Sequence, residues 1–584
     1  MEVTKDEEKQ AHEVKRQKGG LRTMPFIIAN EAFEKVAGVG LIANMIKYLI
    51  TEYNLKASDG ATILFLWVAI SYFTPIFGAF ISDSYLGRFR VIVLGTFTSL
   101  FGLILLWLTT ILDGARPPHC DQKFGNLQGC EPPNSTQLLF LFSAFGLMSL
   151  GAGGIRPCSL AFGADQFHNS ENPQNEKTLQ SYFNWYYASV GISVMFSMIV
   201  IVVIQDTAGW VVGFGVPVGF MFMSTVLFLW GSSRYVRIKA DTSLFSSFVK
   251  VIYAAWKNRH LSLPENDSGS WYFLSGAKLV VPTEKLRFLN KACVVKNREI
   301  QLNSRGIPHT PWRLCTVKQV EELKSLIKVL PIWSTGIMIA VTLSQHSFPV
   351  LQVDTMDRSF IGKFKIPAAT FNVFTLLSLT IWVAVYDRIL VPIVAKCTKR
   401  PRGLTNKQRM AFGLAVSCIA TVIAGFVEHK RRAMVIREGF EDKPKGQVQM
   451  SAMWIIPQHC LIGVAESLNA IGQIEFYYSQ FPKTMSSIGV SLFSLGMGFG
   501  NLVGSFIVLI LENATKSDDG KVNWVSNNLN KGHYDYYYWV LASLSVLNFF
   551  YFLVCSRAYG PENSNIWATE EVEEEDDKSF DTPT

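Results

Sequence analysis

Thr23-Met24-Pro25-Phe26-Ile27-Ile28-Ala29-Asn30-Glu31-Ala32-Phe33-Glu34-Lys35 opens the first long apolar run of the chain, which continues from Val36 through Leu41 to Ile50. As a helix, 26–50 is long enough to cross a bilayer, which takes about 20 residues. A charge inside such a span costs about 3 kcal/mol on insertion scales. Charged residues at that depth face a partner or a water-filled cavity and mark functional positions. Glu31, Glu34 and Lys35 stand at i, i+3 and i+4, so one helix face carries all three. Two proton acceptors and a fixed cation on one face are the equipment of a proton-driven carrier.

Outward from this run, the same pattern repeats. Apolar stretches of spanning length recur near 61–82, 91–112, 137–163, 181–205 and 211–231, and again near 326–345, 366–386, 410–427, 452–476, 484–512 and 536–556. Of the 584 residues, 49% are hydrophobic and 17% charged, against about 25% charged in soluble domains. The expected fold is an all-α membrane protein with about twelve transmembrane helices in two six-helix bundles. The expected division is a cytosolic N-terminal arm (1–25), a first bundle (26–231), a cytosolic linker (232–325), a second bundle (326–558) and an acidic cytosolic tail (559–584). Two six-span halves around a midplane site are the architecture of the major facilitator superfamily.

The net charge of +8 does not imply nucleic acid, because the basic residues lie between spans. The lipid bilayer is the expected partner of the linker, which carries Lys250, Lys257, Arg259, Lys285, Arg287, Lys291 and Lys296. The arm (Lys5, Lys9, Lys15, Arg16, Lys18, Arg22) has no leading apolar segment, so it is read as cytosolic rather than as a signal peptide. Arg388, Lys396, Lys399, Arg400, Arg402, Lys407 and Arg409 agree with that orientation. Lys430-Arg431-Arg432 conflicts with it, unless a long ninth helix projects those charges past the lipid. Glu570-Glu571-Val572-Glu573-Glu574-Glu575-Asp576-Asp577 has the composition of a disordered segment.

No metal-ligand spacing appears among the nine cysteines, and no cofactor is implied. Cys120 and Cys130 share the outer loop after the third span, where either a disulfide or two free thiols fit. The same side carries the sequons Asn134-Ser135-Thr136 and Asn513-Ala514-Thr515. No nucleotide loop or nucleophile elbow points to an enzyme.

Two further blocks carry charge or a turn signal. Ser82-Asp83-Ser84-Tyr85-Leu86-Gly87-Arg88 links the second and third spans and resembles the Asp-x-x-x-Gly-Arg loop of the major facilitator superfamily, which implies an Asp83–Arg88 gate at the inner face; an ordinary cytosolic turn is the competing reading. Gly151-Ala152-Gly153-Gly154-Ile155-Arg156-Pro157 places a guanidinium within the fourth span. Arg156 cannot shed its proton, so it requires a carboxylate or a bound anion. Glu466, in Gly463-Val464-Ala465-Glu466-Ser467, is the acidic residue squarely inside a span of the second half, and an Arg156–Glu466 bridge between the halves is expected. Tyr72, Tyr186, Trp333, Asn372, Asn469, Gln473 and Asn501 are the polar and aromatic groups expected to line the cavity. Ordinary helix packing is the competing reading for each.

Together, Glu31-x-x-Glu34-Lys35, Gly153-Gly154-Ile155-Arg156-Pro157 with Phe162-Gly163-Ala164-Asp165-Gln166-Phe167, Phe183-Asn184-Trp185-Tyr186-Tyr187 and Glu466 resemble the proton-dependent oligopeptide transporter family, and more closely its plant nitrate and peptide branch. The resemblance runs from about Gly20 to Tyr559. It implies that Glu31 and Glu34 are proton-coupling carboxylates, that Lys35 pairs with them, and that Arg156 bridges to Glu466 as the cavity alternates. It implies protons and a small anion as ligands, with nitrate first and larger organic anions, gibberellin-like hormones or glycosylated metabolites second. The plasma membrane is the expected location, the vacuolar membrane the alternative. A nutrient sensor on the same scaffold is a further reading.

Three departures narrow the cargo. Val36-Ala37-Gly38-Val39-Gly40 stands where peptide-carrying relatives have a tyrosine-rich stretch, which argues against peptides. Thr342-Leu343-Ser344-Gln345, followed by His346, stands where a nitrate carrier of the branch places its nitrate-holding histidine. Val91 stands where that carrier has a phosphorylated threonine, so that switch is expected to be missing.

Overall fold

The computed structural model describes residues 19–118, 120, 130–167, 174–237, 244–261, 263, 282–295, 312–345, 347–361, 364–399, 403–444, 446–482, 485–516 and 523–561. The basic arm up to Lys18, His346, Lys296, Arg400, Arg402 and the acidic tail lie outside the described residues.

Twelve helical spans run through the described residues. The first six are Met24–Thr51, Ala57–Ile81, Arg88–Ile111, Ser135–Asp165, Gln174–Phe196 with its continuation past Ile201, and the part of Val202–Trp230 that follows Gly209. The second six are Val317–Leu343, Ala368–Thr398, Asn406–Glu438, Ile456–Gln480, Ser486–Ala514 and Tyr534–Tyr559. Nine helical stretches among the described residues are long and apolar enough to cross a membrane. One of the nine, Ser181–Ser233, holds both the fifth and sixth spans. The chain reverses within it at Gly209 (φ 81°), a backbone angle glycine adopts without strain, and Gly213 returns against Gln205. Outside the nine stand the first and tenth spans, which carry Glu31, Glu34 and Lys35 on one side and Glu466 on the other. The polar groups that lower their hydropathy are therefore the ones singled out by the sequence.

Local signals start several spans. Asn134–Gln137, Thr316–Gln319 and Thr405–Gln408 each form a reciprocal capping box at the first turn of the fourth, seventh and ninth spans. Each box satisfies two backbone donors at the start of its helix. Small residues then let spans approach: a Cβ on Gly78 would fall 1.9 Å from the Gly153 carbonyl oxygen. Close backbone approach of this kind replaces the hydrophobic drive that lipid does not supply.

Spans one to six pack among themselves, and spans seven to twelve do likewise. The two sets meet mainly where the second span lies along the eleventh. Phe73 meets Phe499 edge-on at 5.4 Å, and Trp333 backs Phe499 at 5.7 Å. Cys120 and Cys130 are joined in a disulfide beside the outer end of the third span.

At the inner end, the linker helix Leu244–Lys257 rests under the seventh span. Its Phe248, Val251 and Ala254 share one apolar cluster with Leu289, Cys293, Val320 and, from the twelfth span, Phe552 and Cys555.

The ninth span is 33 residues long, about 50 Å at 1.5 Å per residue, against a hydrocarbon core of about 30 Å. The Lys430-Arg431-Arg432 run does stand at its far end, but Arg431 does not project into water. It is fully buried. Its Nε and Nη2 donate to Glu428 at 2.7 and 2.6 Å, and its Nη1 donates to Thr355 and Asn530 at 3.0 and 2.7 Å. Lys430 lies over the Trp454 ring at 3.9 Å, and Arg432 donates to the Gly532 carbonyl at 3.1 Å. Loops from three parts of the second half thus absorb charges that the sequence alone assigns to solvent.

Candidate functional site

The first span is helical without a break through its charges, so Glu31, Glu34 and Lys35 do share a face. Both carboxylates are buried. Lys35 Nζ sits 3.2 Å from Glu31 Oε1 and 3.2 Å from Glu34 Oε2. The other oxygen of Glu34 accepts from Arg156, from Nε at 3.2 Å and from Nη2 at 3.0 Å. Two carboxylates and two cations therefore form one chain across the first and fourth spans. Gly38, one turn on, leaves room beside it: a Cβ there would meet Arg156 Nη2 and Glu34 Oε1 at 3.7 Å.

This arrangement differs from the expected bridge. Arg156 is taken by Glu34, on its own half, and no ion pair joins it to Glu466 among the described residues. Glu466 stays on the opposite half, and Tyr72 lies within electrostatic reach of both Arg156 and Glu466. The physical reason is proximity. The first and fourth spans pack within one bundle, whereas Arg156 and Glu466 belong to different bundles.

A cavity of about 300 Å³ opens beside the cluster. Glu31, Lys35 and Arg156 form its charged wall, and Tyr72, Tyr186 and Tyr187 its aromatic wall. Pro75, Leu160, Val190 and Val490 complete an apolar lining, with Ser491 and Ser494 on the side of the second half. All of these positions belong to the inner halves of their spans. The cavity therefore lies toward the linker side.

On the side away from the linker, the two halves are bridged by charges the sequence reading did not single out. Lys47 of the first span lies 2.9 Å from Asp354, beyond the seventh span, and 3.7 Å from Asp206 of its own half. Arg358 adds a second contact to Asp354 at 3.5 Å. Lys47 stands 12 residues after Lys35, about 18 Å along the helix, so one span carries a charge at the cavity and another at the outer seam. A lone lysine near the end of an apolar run was the available signal.

Of the seven residues expected to line the cavity, Tyr72 and Tyr186 do. Trp333 Nε1 donates to the Leu492 carbonyl at 2.8 Å and pins the seventh span to the eleventh. Asn469 donates to the Met410 carbonyl at 3.2 Å and accepts from Gln473 at 2.6 Å, and Gln473 accepts from Tyr477. Asn501 donates back into its own helix, to Met497, and Asn372 is buried at the start of the eighth span. The bonds of Trp333, Asn469, Gln473 and Asn501 serve helix packing. At the inner loop, Arg88 lies 3.5 Å from Asp83 and only 2.6 Å from Asp165. Its stronger partner therefore closes the second-to-third loop onto the fourth span. Arg409, stacked on Tyr386 at 4.2 Å, reaches Glu475 at 3.2 Å within the second half.

Two six-helix bundles, with ionised groups turned toward a cavity between them, define a multi-pass membrane transporter of the major facilitator type. The chain belongs to the POT family, whose sequence profile matches residues 89–525. It is 49% identical over 551 residues to Protein NRT1/PTR FAMILY 1.1 of Arabidopsis thaliana, covering 94% of this chain and 93% of that one. It is 49% identical to Protein NRT1/PTR FAMILY 1.2 of the same plant over 94% and 91% of the two chains. In three dimensions it matches an auto-inhibited POT family peptide transporter with a TM-score of 0.67 at 20% identity, over 93% of this chain and 98% of that one. A POT family transporter in complex with 5-aminolevulinic acid matches with a TM-score of 0.58 at 13% identity, over 93% and 99%.

Proposed function

We propose that the chain is a proton-coupled symporter of small anions, with nitrate the foremost substrate. The observation that carries this is the Glu31–Lys35–Glu34–Arg156 chain at the wall of the inner cavity. With all four groups ionised the chain is neutral. A proton on Glu34 leaves Arg156 without its carboxylate, and the cavity gains positive charge. Proton binding and anion binding then favour each other, which is coupling in the thermodynamic sense. Glu466 offers Arg156 an alternative partner when the two halves, 26–231 and 326–558, close around the cavity. Two protonatable carboxylates allow more than one proton per monovalent anion. Uptake is then electrogenic and driven by an inside-negative potential.

The volume of about 300 Å³ is at the small end for ligand pockets, about 300–1,000 Å³, which supports a small cargo. Val36-Ala37-Gly38-Val39-Gly40 supports exclusion of peptides. One observation favours a second reading. The aromatic and apolar walls around Tyr72, Tyr187, Leu160 and Val490 suit the body of an organic anion such as a hormone or glycosylated metabolite. The plasma membrane is the proposed location, the vacuolar membrane the alternative.

Uptake and current recordings in oocytes at acidic outside pH, with nitrate, a dipeptide and an organic-acid panel, test the reading. Proton-driven nitrate currents support it. Flux of the dipeptide alone, or no flux for any compound although the protein reaches the surface, overturns it.

A further inference from the structure

The linker builds a second concave feature, on the inner face and away from the transport cavity. A groove of about 500 Å³ runs between the linker helix and the turn at Phe288. Its floor is Ile252, Ala255, Trp256, Phe288, Leu289 and Ile327, and its rim carries Arg259 and Lys291. Ile252, Trp256 and Phe288 are 55%, 62% and 58% exposed, so three large apolar side chains stand together in the open. Among the described residues the rim cations make local contacts: Arg259 lies over the Trp256 ring at 5.0 Å, and Lys291 donates to the Arg259 carbonyl at 2.7 Å. Among the described residues, neither of them, nor Lys257 or Arg287, has a carboxylate within 4 Å. An apolar floor with an uncompensated basic rim asks for an occupant with an apolar anchor and acidic flanks.

The chain itself supplies such a segment. The described residues end at Pro561, and 562–584 follow. Ile566-Trp567 gives an apolar anchor, and Glu570 to Asp577 gives seven carboxylates in eight residues. The point of departure also fits. Tyr559 lies with Lys328 Nζ 4.5 Å from its ring centre, and the neighbouring Ile327 is part of the groove wall. Phe552 and Cys555 of the same twelfth span belong to the apolar cluster under the linker helix. Five residues lie between Pro561 and Trp567, six steps of chain with a reach of about 20 Å at full extension.

We infer that the C-terminal segment docks back into the linker groove, with Ile566 and Trp567 on the apolar floor and the Glu570–Asp577 run along the Arg259 and Lys291 rim. The contact is intrachain and electrostatically assisted, so it weakens as salt rises. It covers the exposed side chains of Ile252, Trp256 and Phe288.

A photo-crosslinking amino acid placed at Phe288 in the full-length chain, in membranes, tests this, with a second probe at Trp256. Mass spectrometry then identifies the captured partner. The expected product is an internal crosslink to 562–584, lost in Arg259→Glu/Lys291→Glu. The yield recovers when Glu573, Glu574 and Glu575 are changed to lysine in that same variant. Capture of phospholipid instead, or crosslinking to 562–584 that ignores the charge reversals, overturns the inference.

Discussion

Arg156 grips Glu34 through two nitrogens, at 3.2 and 3.0 Å, while Glu466 across the gap has no cation within 4 Å among the described residues. The pairing puts the permanent cation of the fourth span under the control of a titratable group in the first. It also makes Glu466 the natural competitor for Arg156 in another conformation.

Glu34→Gln removes the carboxylate without changing its size. Arg156 is then free at every pH, so pH-driven uptake falls by about tenfold or more, a typical size for coupling between ligands, while anion exchange persists. Counterflow in proteoliposomes measured beside pH-driven uptake separates the two. Equal loss of both would show that Glu34 is needed for cargo binding as such.

Glu466→Gln leaves the Glu34–Arg156 pair of the present conformation intact and removes its alternative. The expected result is slowed turnover with near-normal anion binding. Transport at the unaltered rate would mean that Arg156 never exchanges partners.

Lys47 and Asp354 bridge the halves at the outer seam, 2.9 Å apart. Asp354→Asn releases Lys47 to Asp206, its 3.7 Å neighbour on the same half. A reporter cysteine at Phe65, which packs toward Gly504 between the second and eleventh spans, then labels faster with an impermeant thiol reagent. Labelling at the unmutated rate would show that the seam is closed by packing alone.

Arg431 and Glu428 are both fully buried and doubly bonded. Removing one partner of such a pair costs about 3–5 kcal/mol, because the other charge is left stranded. Arg431→Met lowers the melting temperature of detergent-purified protein, and adding Glu428→Leu restores part of the loss. A double variant less stable than either single one contradicts this account.

Much of the fold is readable from hydrophobic run length, because lipid imposes one constraint on every span. The first and tenth spans carry polar groups, yet each keeps enough apolar length around Glu31 or Glu466 to be recognised. What the sequence does not disclose is helix rotation. The spacing of Glu31, Glu34 and Lys35 places them on one face, but which carboxylate meets Arg156 depends on how the first and fourth spans pack. The same gap hides the packing roles of Trp333 and Asn469, which bond to neighbouring helices, and of Gln473 and Asn501, which bond within their own. Arg431 was misread for a related reason: Thr355 and Asn530 reach it from distant loops, and no local pattern announces them.

The central claim is that a proton on Glu34 frees Arg156 for the anion. The most direct measurement is equilibrium anion binding to purified protein against pH, with the anion that the uptake panel selects, for the unaltered chain and for Glu34→Gln. The account predicts binding that tightens as pH falls in the first and, in the second, tighter binding with a much weaker pH dependence, since Glu31 remains. A Glu34→Gln protein that keeps the full pH dependence would contradict it.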